Sequence, residues 1–206
     1  MSDDAMSDDS RSVVIDQLRS KHRKQRREIT EDTLQENSAG LEQNVAALAE
    51  FQSAVHIAAY IAILGEISVE PLIRAGSEAG KIFYLPILRD ESMVFAPWQP
   101  DTPLLKKKFG LLEPDCDQSE IMRPQELDLV LTPLVVFDKQ CNRIGQGGGY
   151  YDRTFEFTRA ADKPVLIGVA HDSQLEKTLT PQPWDIPLHK VVTESNVYVN
   201  PALPVS

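Results

Sequence analysis

Val55-His-Ile-Ala-Ala-Tyr-Ile-Ala-Ile-Leu64, followed by Gly65 and Glu66, is the stretch from which the fold is read. It is rich in β-branched residues and apolar nearly throughout, as a strand buried on both faces of a parallel sheet must be. Gly65 and Glu66 would then stand at its C-terminal end. Val69 to Ala79 has helical composition, and Pro71 is tolerated there because the amide it removes from the first turn has no intrahelical partner. Gly80 closes the helix, and Lys81-Ile-Phe-Tyr-Leu-Pro-Ile-Leu88 reads as a second strand. Strand, helix, strand is the crossover unit that joins parallel strands.

Toward the N-terminus, residues 1–10 are polar and acidic without apolar period, and read as a disordered tail. Ser12 to Ile29 reads as a helix with a heavily basic face, carrying Lys21, Arg23, Lys24, Arg26 and Arg27. A second helix follows, its buried stripe being Leu41, Val45 and Leu48. Toward the C-terminus, Arg89 to Glu126 is rich in Pro, Asp and Lys and predicts short strands, turns and loops. Leu127 to Phe137 is another apolar run, kinked or ended near Pro133. A helix is predicted from about Tyr151 to Ala161, then a buried strand over Val165 to Ala170 and a short one over Val191 to Thr193. This alternation predicts a Rossmann-like, three-layer α/β sandwich with a mostly parallel central sheet, preceded by N-terminal helices. Residues 11–200 would form a single catalytic domain.

Composition narrows the function. With 206 residues the chain builds one well-cored domain and is too short for two average ones plus a linker. Hydrophobic residues at 42% and charged residues at 25% exclude a disordered or fibrous chain. A net charge of -10 disfavours nucleic acid as a partner, although local basic clusters can hold one small anion. The longest apolar stretch, Ala54 to Leu64, is about half a membrane span. The acidic N-terminus is unlike a secretory signal, so no membrane partner and a cytoplasmic location are expected. Cys116 and Cys141 lack further Cys or His at ligand spacing, and His22, His56, His171 and His189 are scattered, so no zinc site or disulfide framework is indicated.

The chemistry concentrates in Phe137-Asp-Lys-Gln-Cys-Asn-Arg-Ile-Gly-Gln-Gly-Gly-Gly-Tyr-Tyr-Asp-Arg153. Gly145, Gly147, Gly148 and Gly149 lie between a buried strand and a predicted helix, where glycine lets the backbone approach an anion. Loop N–H groups would then face phosphate oxygens. Asp152 could reach a magnesium ion bridging those oxygens, while Arg153 offers charge to a transferring group. As a bare pattern the loop lacks both the Lys-Ser/Thr ending of a Walker loop and the spacing of a dinucleotide fingerprint. A ligand-free glycine turn is an equally good reading of the pattern alone.

Asn142-Arg-Ile-Gly-Gln-Gly-Gly-Gly-Tyr-Tyr-Asp-Arg153 resembles the signature of the 5-formyltetrahydrofolate cyclo-ligase family, also called methenyltetrahydrofolate synthetases. Leu64-Gly-Glu-Ile67, Pro71-Leu-Ile73, Gly80-Lys81, Leu85-Pro86, Gly110-Leu-Leu-Glu-Pro114, Asp128-Leu-Val-Leu-Thr-Pro133, Ile167-Gly-Val-Ala-His-Asp-Ser-Gln174 and Trp184-Asp-Ile-Pro187 are similar to family blocks in the same order. The resemblance covers roughly Gln17 to Glu194. It implies ATP as co-substrate, Mg2+ as cofactor and a folate substrate. ATP contacts would be Arg19, Arg143, Ile144, Gly145, Gln146, Gly147, Gly148, Gly149, Tyr150 and Tyr151. Folate would meet Ile61, Glu66, Gln146, Gly147, Gly148, Gly149 and Tyr150. Asp152 and Asp185 would hold the metal, and Arg143, Arg153 and Tyr151 would be catalytic.

One position departs from the pattern. The family commonly opens with Lys, two intervening residues and Leu-Arg; Leu18-Arg19 fits, but Ile15 occupies the lysine position. Lys21, Arg23, Lys24, Arg26 and Arg27 are the near candidates for that charge. Lys106, Lys107 and Lys108 suit the glutamate tail of a folate, or an exposed loop. The implied chemistry is attack of the formyl oxygen on the γ-phosphate, addition of the second folate nitrogen and loss of phosphate. It needs no protein nucleophile, in keeping with a sequence that offers no Ser-His-Asp constellation. A kinase or ligase for another small molecule, or a noncatalytic folate- or nucleotide-binding protein, are the rival readings. The expected assembly is a monomer or homodimer.

Overall fold

The computed structural model describes residues 8–100, 102–106 and 112–203. The first seven residues of the acidic tail, Lys107 and Lys108 of the lysine run, and Gly110 and Leu111 lie outside the described residues. Helix α1 (Asp8–Arg27) therefore begins inside the stretch read as a tail. Helix α2 (Glu31–Ala46) starts where the Thr30 hydroxyl accepts the Thr33 amide at 3.3 Å, satisfying one of the orphan donors of the first turn. Leu41 and Val45 are fully buried as expected, whereas Leu48 lies past the helix end and caps the short α3 (Ala49–Ser53).

The crossover unit is β1 (His56–Ala58), α4 (Glu70–Glu78) and β2 (Ile82–Arg89), with the two strands parallel. β1 is much shorter than the strand expected over 55–64. The Ala59 amide still reaches the Tyr84 carbonyl, but the chain then leaves the sheet and turns at Leu64 and Gly65, with φ of 50° and 77°. Ala59 and Tyr60 are buried as coil instead, with the Tyr60 hydroxyl donating to the Ile67 carbonyl at 2.6 Å, whereas Ile63 and Leu64 are exposed. An apolar run registers burial, and burial alone does not require a ladder.

Antiparallel to β2 lies β3 (Ser92–Pro97), and β4 (Leu104–Lys106) pairs with β5 (Leu112–Pro114) in the region expected to hold short strands and turns. β6 (Leu129–Pro133) ends at its proline, and β7 (Val136–Phe137) then pairs with β8 (Arg143–Ile144). The helix expected from Tyr151 to Ala161 is corrected to a five-residue α5 (Tyr150–Thr154) followed by a 3-10 turn over Glu156–Ala160. Phe155 leaves helical geometry to place its ring, fully buried, beside Phe95, Tyr151 and Phe157. β9 (Val165–Val169), β10 (Lys190–Val192) and β11 (Val197–Val199) complete the sheet, in the order β11-β10-β9-β6-β1-β2-β3. Its five inner strands are parallel and its two edges antiparallel, giving the mostly parallel α/β fold expected.

Strand alternation divides the core between the two faces. Ile57, Phe83, Leu85, Leu129, Leu131 and Ile167 pack with Leu41, Val45, Leu72 and Ile73 of α2 and α4. Ala58, Tyr84, Val130 and Leu166 turn the other way, onto Phe95, Phe155, Ile186 and Leu188. Burial of each such large side chain contributes about 1.5–3 kcal/mol. Asp128 holds the entry to β1 beside β6: burial pushes its carboxyl up, but the His56 amide, Lys163 and the Val55 amide outweigh that and hold it at about 2. Among the described residues no helix is long and apolar enough to cross a membrane.

From β1 the chain proceeds to β2 and β3 on one side, and from β6 to β9 and β10 on the other. The order thus reverses between β1 and β6. In such sheets a crevice opens beyond the carboxyl ends of the two strands. The segments that leave those ends are 59–66 and 134–149, which contain Glu66 and the glycine loop.

Candidate active site

A cleft of about 1280 Å³ opens at this reversal point. Ile61, Glu66, Arg19, the whole run from Arg143 to Arg153, and Asp185 all line it, so residues up to 166 positions apart in sequence converge there. Leu85, Pro86 and Met93 add apolar wall from β2 and β3, and Trp184 stands at the rim with 67% of its surface exposed.

The glycine loop is held open by arginines. Gly147 and Gly149 adopt φ of 101° and 66°, conformations that a side chain would strain. Arg19 Nε donates to the Gly145 carbonyl at 3.0 Å, and Arg23 clasps Gln146 through both its side-chain oxygen, 3.0 Å, and its backbone carbonyl, 2.7 Å. Arg153 donates to the Glu91 carbonyl at 2.6 Å and the Gly148 carbonyl at 2.9 Å, with its guanidinium 5.1 Å from the centre of the Tyr150 ring. These contacts occupy loop carbonyls. The N–H groups of Gly145 through Gly149 donate to no acceptor among the described residues. A cleft-lining loop with carbonyls engaged and amides unpaired leaves positive dipoles available to an anion bound there. The following α5 is too short to contribute a substantial macrodipole, so the loop itself carries this property.

At the back of the cleft Glu66 is buried. Gln146 Nε2 donates to it at 3.0 Å, the Ile63 amide at 3.2 Å, and Arg26 from α1 lies 3.4 Å away, itself buried. Burial pushes the Glu66 carboxyl up, and Arg26, the Ile63 amide and Gln146 offset this only in part. Behind it, fully buried His171 fixes the turn: Asn37 donates to its Nδ1 at 2.9 Å, so the ring is the neutral tautomer whose Nε2 donates to the Gly65 carbonyl at 3.1 Å. Burial lowers this imidazole to about 4, which keeps it neutral at pH 7. Gly65 is required here because a Cβ would lie 2.3 Å from the Arg26 carbonyl.

Opposite stand the two aspartates. Asp152 Oδ1 accepts from Arg143 Nη2 at 2.5 Å and from the Ile186 amide at 3.0 Å, and Arg143 also donates to the Ile186 carbonyl. Asp152 thereby ties α5 to the Trp184–Pro187 segment. Asp185 accepts the Gln182 amide at 2.8 Å; burial pushes its carboxyl up, and the nearby Asp152 charge adds to this against that hydrogen bond. Two carboxylates repelling each other at one edge of an anion cradle form a donor set that fits a hard divalent cation, which takes one or two protein carboxylates and completes its shell with water and phosphate oxygens. No group of three or more His, Cys, Asp or Glu among the described residues makes a protein-only cage. Tyr151 lies against Phe155, ring centres 6.2 Å apart, and burial raises its hydroxyl well above the usual value.

The basic helix face differs from its expected role. Lys21 pairs with Glu176, Arg23 with Gln146 and Arg26 with Glu66, while Lys24 and Arg27 are exposed and do not line the cleft. None of the five replaces the charge missing at Ile15 by entering the cleft. Arg11, outside the set of residues expected from sequence, does line it. Its spacing of four from Ile15 and eight from Arg19 was the available signal.

Comparison with known proteins gives the family and the fold. The model of the 5-formyltetrahydrofolate cyclo-ligase family matches residues 11–194. The chain is similar to the Haemophilus influenzae 5-formyltetrahydrofolate cyclo-ligase, 35% identical over 181 residues that cover 85% of this chain and 95% of the relative. The Escherichia coli K12 protein of the same name is also 35% identical, over 85% of this chain and 98% of its own. In structure, the chain is similar to the 5,10-methenyltetrahydrofolate synthetase of Aquifex aeolicus, with a TM-score of 0.79, 28% identity and coverage of 94% and 96%. The Mycoplasma pneumoniae synthetase shares the fold at a TM-score of 0.68 and 23% identity, over 87% of this chain and 98% of the other.

Proposed function

From the premise that this chain belongs to the 5-formyltetrahydrofolate cyclo-ligase family, we propose that it closes 5-formyltetrahydrofolate to 5,10-methenyltetrahydrofolate, consuming ATP with Mg2+ and releasing ADP and phosphate. The observation that carries the reading is the loop Gly145 to Gly149, whose amides have no acceptor among the described residues and which lines the same cleft as the buried Glu66 and the Asp152–Asp185 pair.

In this reading the loop amides, Arg19 and Arg143 receive the phosphate chain, and Tyr150 and Tyr151 border it. Glu66 and Gln146, joined to each other, offer hydrogen-bonding groups to the polar edge of a pterin, and Ile61 with Leu85 and Pro86 packs on its apolar face. The proposed first step is attack of the formyl oxygen on the γ-phosphorus. That oxygen bonds to phosphorus as the bond to ADP breaks; the second folate nitrogen adds to the activated carbon, and as that nitrogen loses its proton the carbon–oxygen bond breaks to release phosphate. Catalysis of this kind is positioning and charge stabilisation. Asp152 and Asp185 would hold Mg2+, which neutralises phosphate charge when bound. Arg143 fixes the Asp152 carboxylate through their 2.5 Å bond, and Arg153 supplies charge to the transferring group from the loop rim.

The test is direct. Purified protein with Mg2+ and 5-formyltetrahydrofolate is expected to generate the methenyl absorbance only when ATP is added, with one ADP per product. Folate binding without turnover would replace this reading with a binding module. Turnover with another ATP-activated substrate, and none with folate, would replace it with a kinase or ligase.

A further inference from the structure

We propose that Arg11 is a further nucleotide-contacting residue, supplying from the first turn of α1 the cation for the phosphate chain that Ile15 cannot. This rests on the ATP reading of the glycine loop. Arg11, Ile15 and Arg19 recur every four residues on one stripe of α1, about 12 Å from first to last, and all three line the cleft. Ile15 and Leu18 pack on Val135, Val136, Ile144 and Leu179, so this middle position offers the cleft apolar surface. Arg19 is committed to the Gly145 carbonyl at 3.0 Å and to Asp16 at 2.8 Å.

Arg11 reaches the opposite end. Its Nη1 donates to Gln182 Oε1 at 3.4 Å, a long bond to a neutral amide, and it makes no ion pair among the described residues. Gln182 also lines the cleft, donates its backbone amide to Asp185, and leaves its buried Nε2 without an acceptor. A guanidinium without an ion pair among the described residues and a buried amide nitrogen without an acceptor therefore meet beside the carboxylate segment. Both are donors only at these atoms, so the ligand they match is an anion rich in acceptor oxygens. With Arg19 over the glycine amides and Arg11 over the Asp185 segment, the two guanidiniums bracket the path a triphosphate would take.

The experiment compares wild type, Arg11→Ala and Arg11→Lys by calorimetric titration with ATP and Mg2+, and by steady-state KM for ATP and for folate. Arg11→Ala is expected to raise the ATP Kd and KM about tenfold and to change the folate KM by less than about twofold. Arg11→Lys, which keeps the charge, is expected to lie closer to wild type. An unchanged ATP Kd in Arg11→Ala, an equal rise in both KM values, or equal loss in the Ala and Lys variants overturns the assignment while leaving the glycine-loop reading intact. Wild-type protein that fails to bind ATP overturns the loop reading, and Arg11's role with it.

Discussion

Asp152→Asn is expected to lower kcat for ATP-dependent ring closure by about a hundredfold or more while the protein stays folded. The substitution is isosteric. The amide oxygen can still accept the Ile186 N–H, so the tie between α5 and the Trp184–Pro187 segment survives in part. What is lost is the negative charge facing Arg143 and available to a divalent cation. Removing it leaves Arg143, largely buried, without its carboxylate, a cost of about 1–2 kcal/mol in stability. Kinetics with varied Mg2+ and denaturant unfolding separate the two roles. A large fall in kcat with a small change in unfolding places Asp152 in the metal role; full activity removes it from the mechanism, and collapse of the fold with proportionate loss of activity makes it structural only.

Arg26→Met is expected to lower the unfolding free energy by about 3 kcal/mol at pH 7, because it strands a buried carboxylate. This is the lower end of the range for such pairs, since Gln146 and the Ile63 amide still bond to Glu66. The pH dependence has a definite sign. Glu66 already sits above its ordinary value through burial, and losing Arg26 removes the largest influence holding it down. A carboxyl raised in the folded state binds its proton more tightly than in the unfolded chain, so it costs stability above the unfolded value and stops doing so as pH falls below both. The deficit of Arg26→Met against wild type should therefore shrink from pH 7 toward pH 5. Adding Glu66→Gln should recover most of it at pH 7. A deficit independent of pH and unrelieved by the second substitution would mean that Arg26 acts through packing of its stem alone.

Much of this architecture is legible in the sequence because period and burial coincide. Val165 to Val169 and Leu129 to Pro133 are continuous apolar runs that lie as inner parallel strands, and Pro133 ends its strand as its missing donor requires. The run from Val55 to Leu64 misleads: past Ala58 its apolar side chains serve the core at Tyr60 and the cleft lining at Ile61 and the exposed Ile63, so the segment is as apolar as a strand without being one. The β2–β3 hairpin is hidden because its turn is made by Asp90 at φ 46° rather than by glycine, leaving no strong turn signal. In the site, the glycine loop and Asp152 stand out locally and Asp185 only through the family resemblance, whereas the inward face of α1 does not stand out. Arg19, Arg23 and Arg26 look like a solvated basic stripe until a loop more than a hundred residues away is folded against them, with Arg19 bonded to Gly145 and Arg23 to Gln146. No helical period can announce a partner so distant in sequence; for Arg11 the four-residue spacing to Ile15 and Arg19 is the one local signal.

The most direct measurement is a crystal structure of the protein with Mg2+ and a non-hydrolysable ATP analogue. The phosphate chain is predicted to lie on the amides of Gly145 to Gly149, with the metal between it and Asp152 and Asp185. Phosphates bound elsewhere on the surface, with those amides facing only water, would contradict the proposed mechanism.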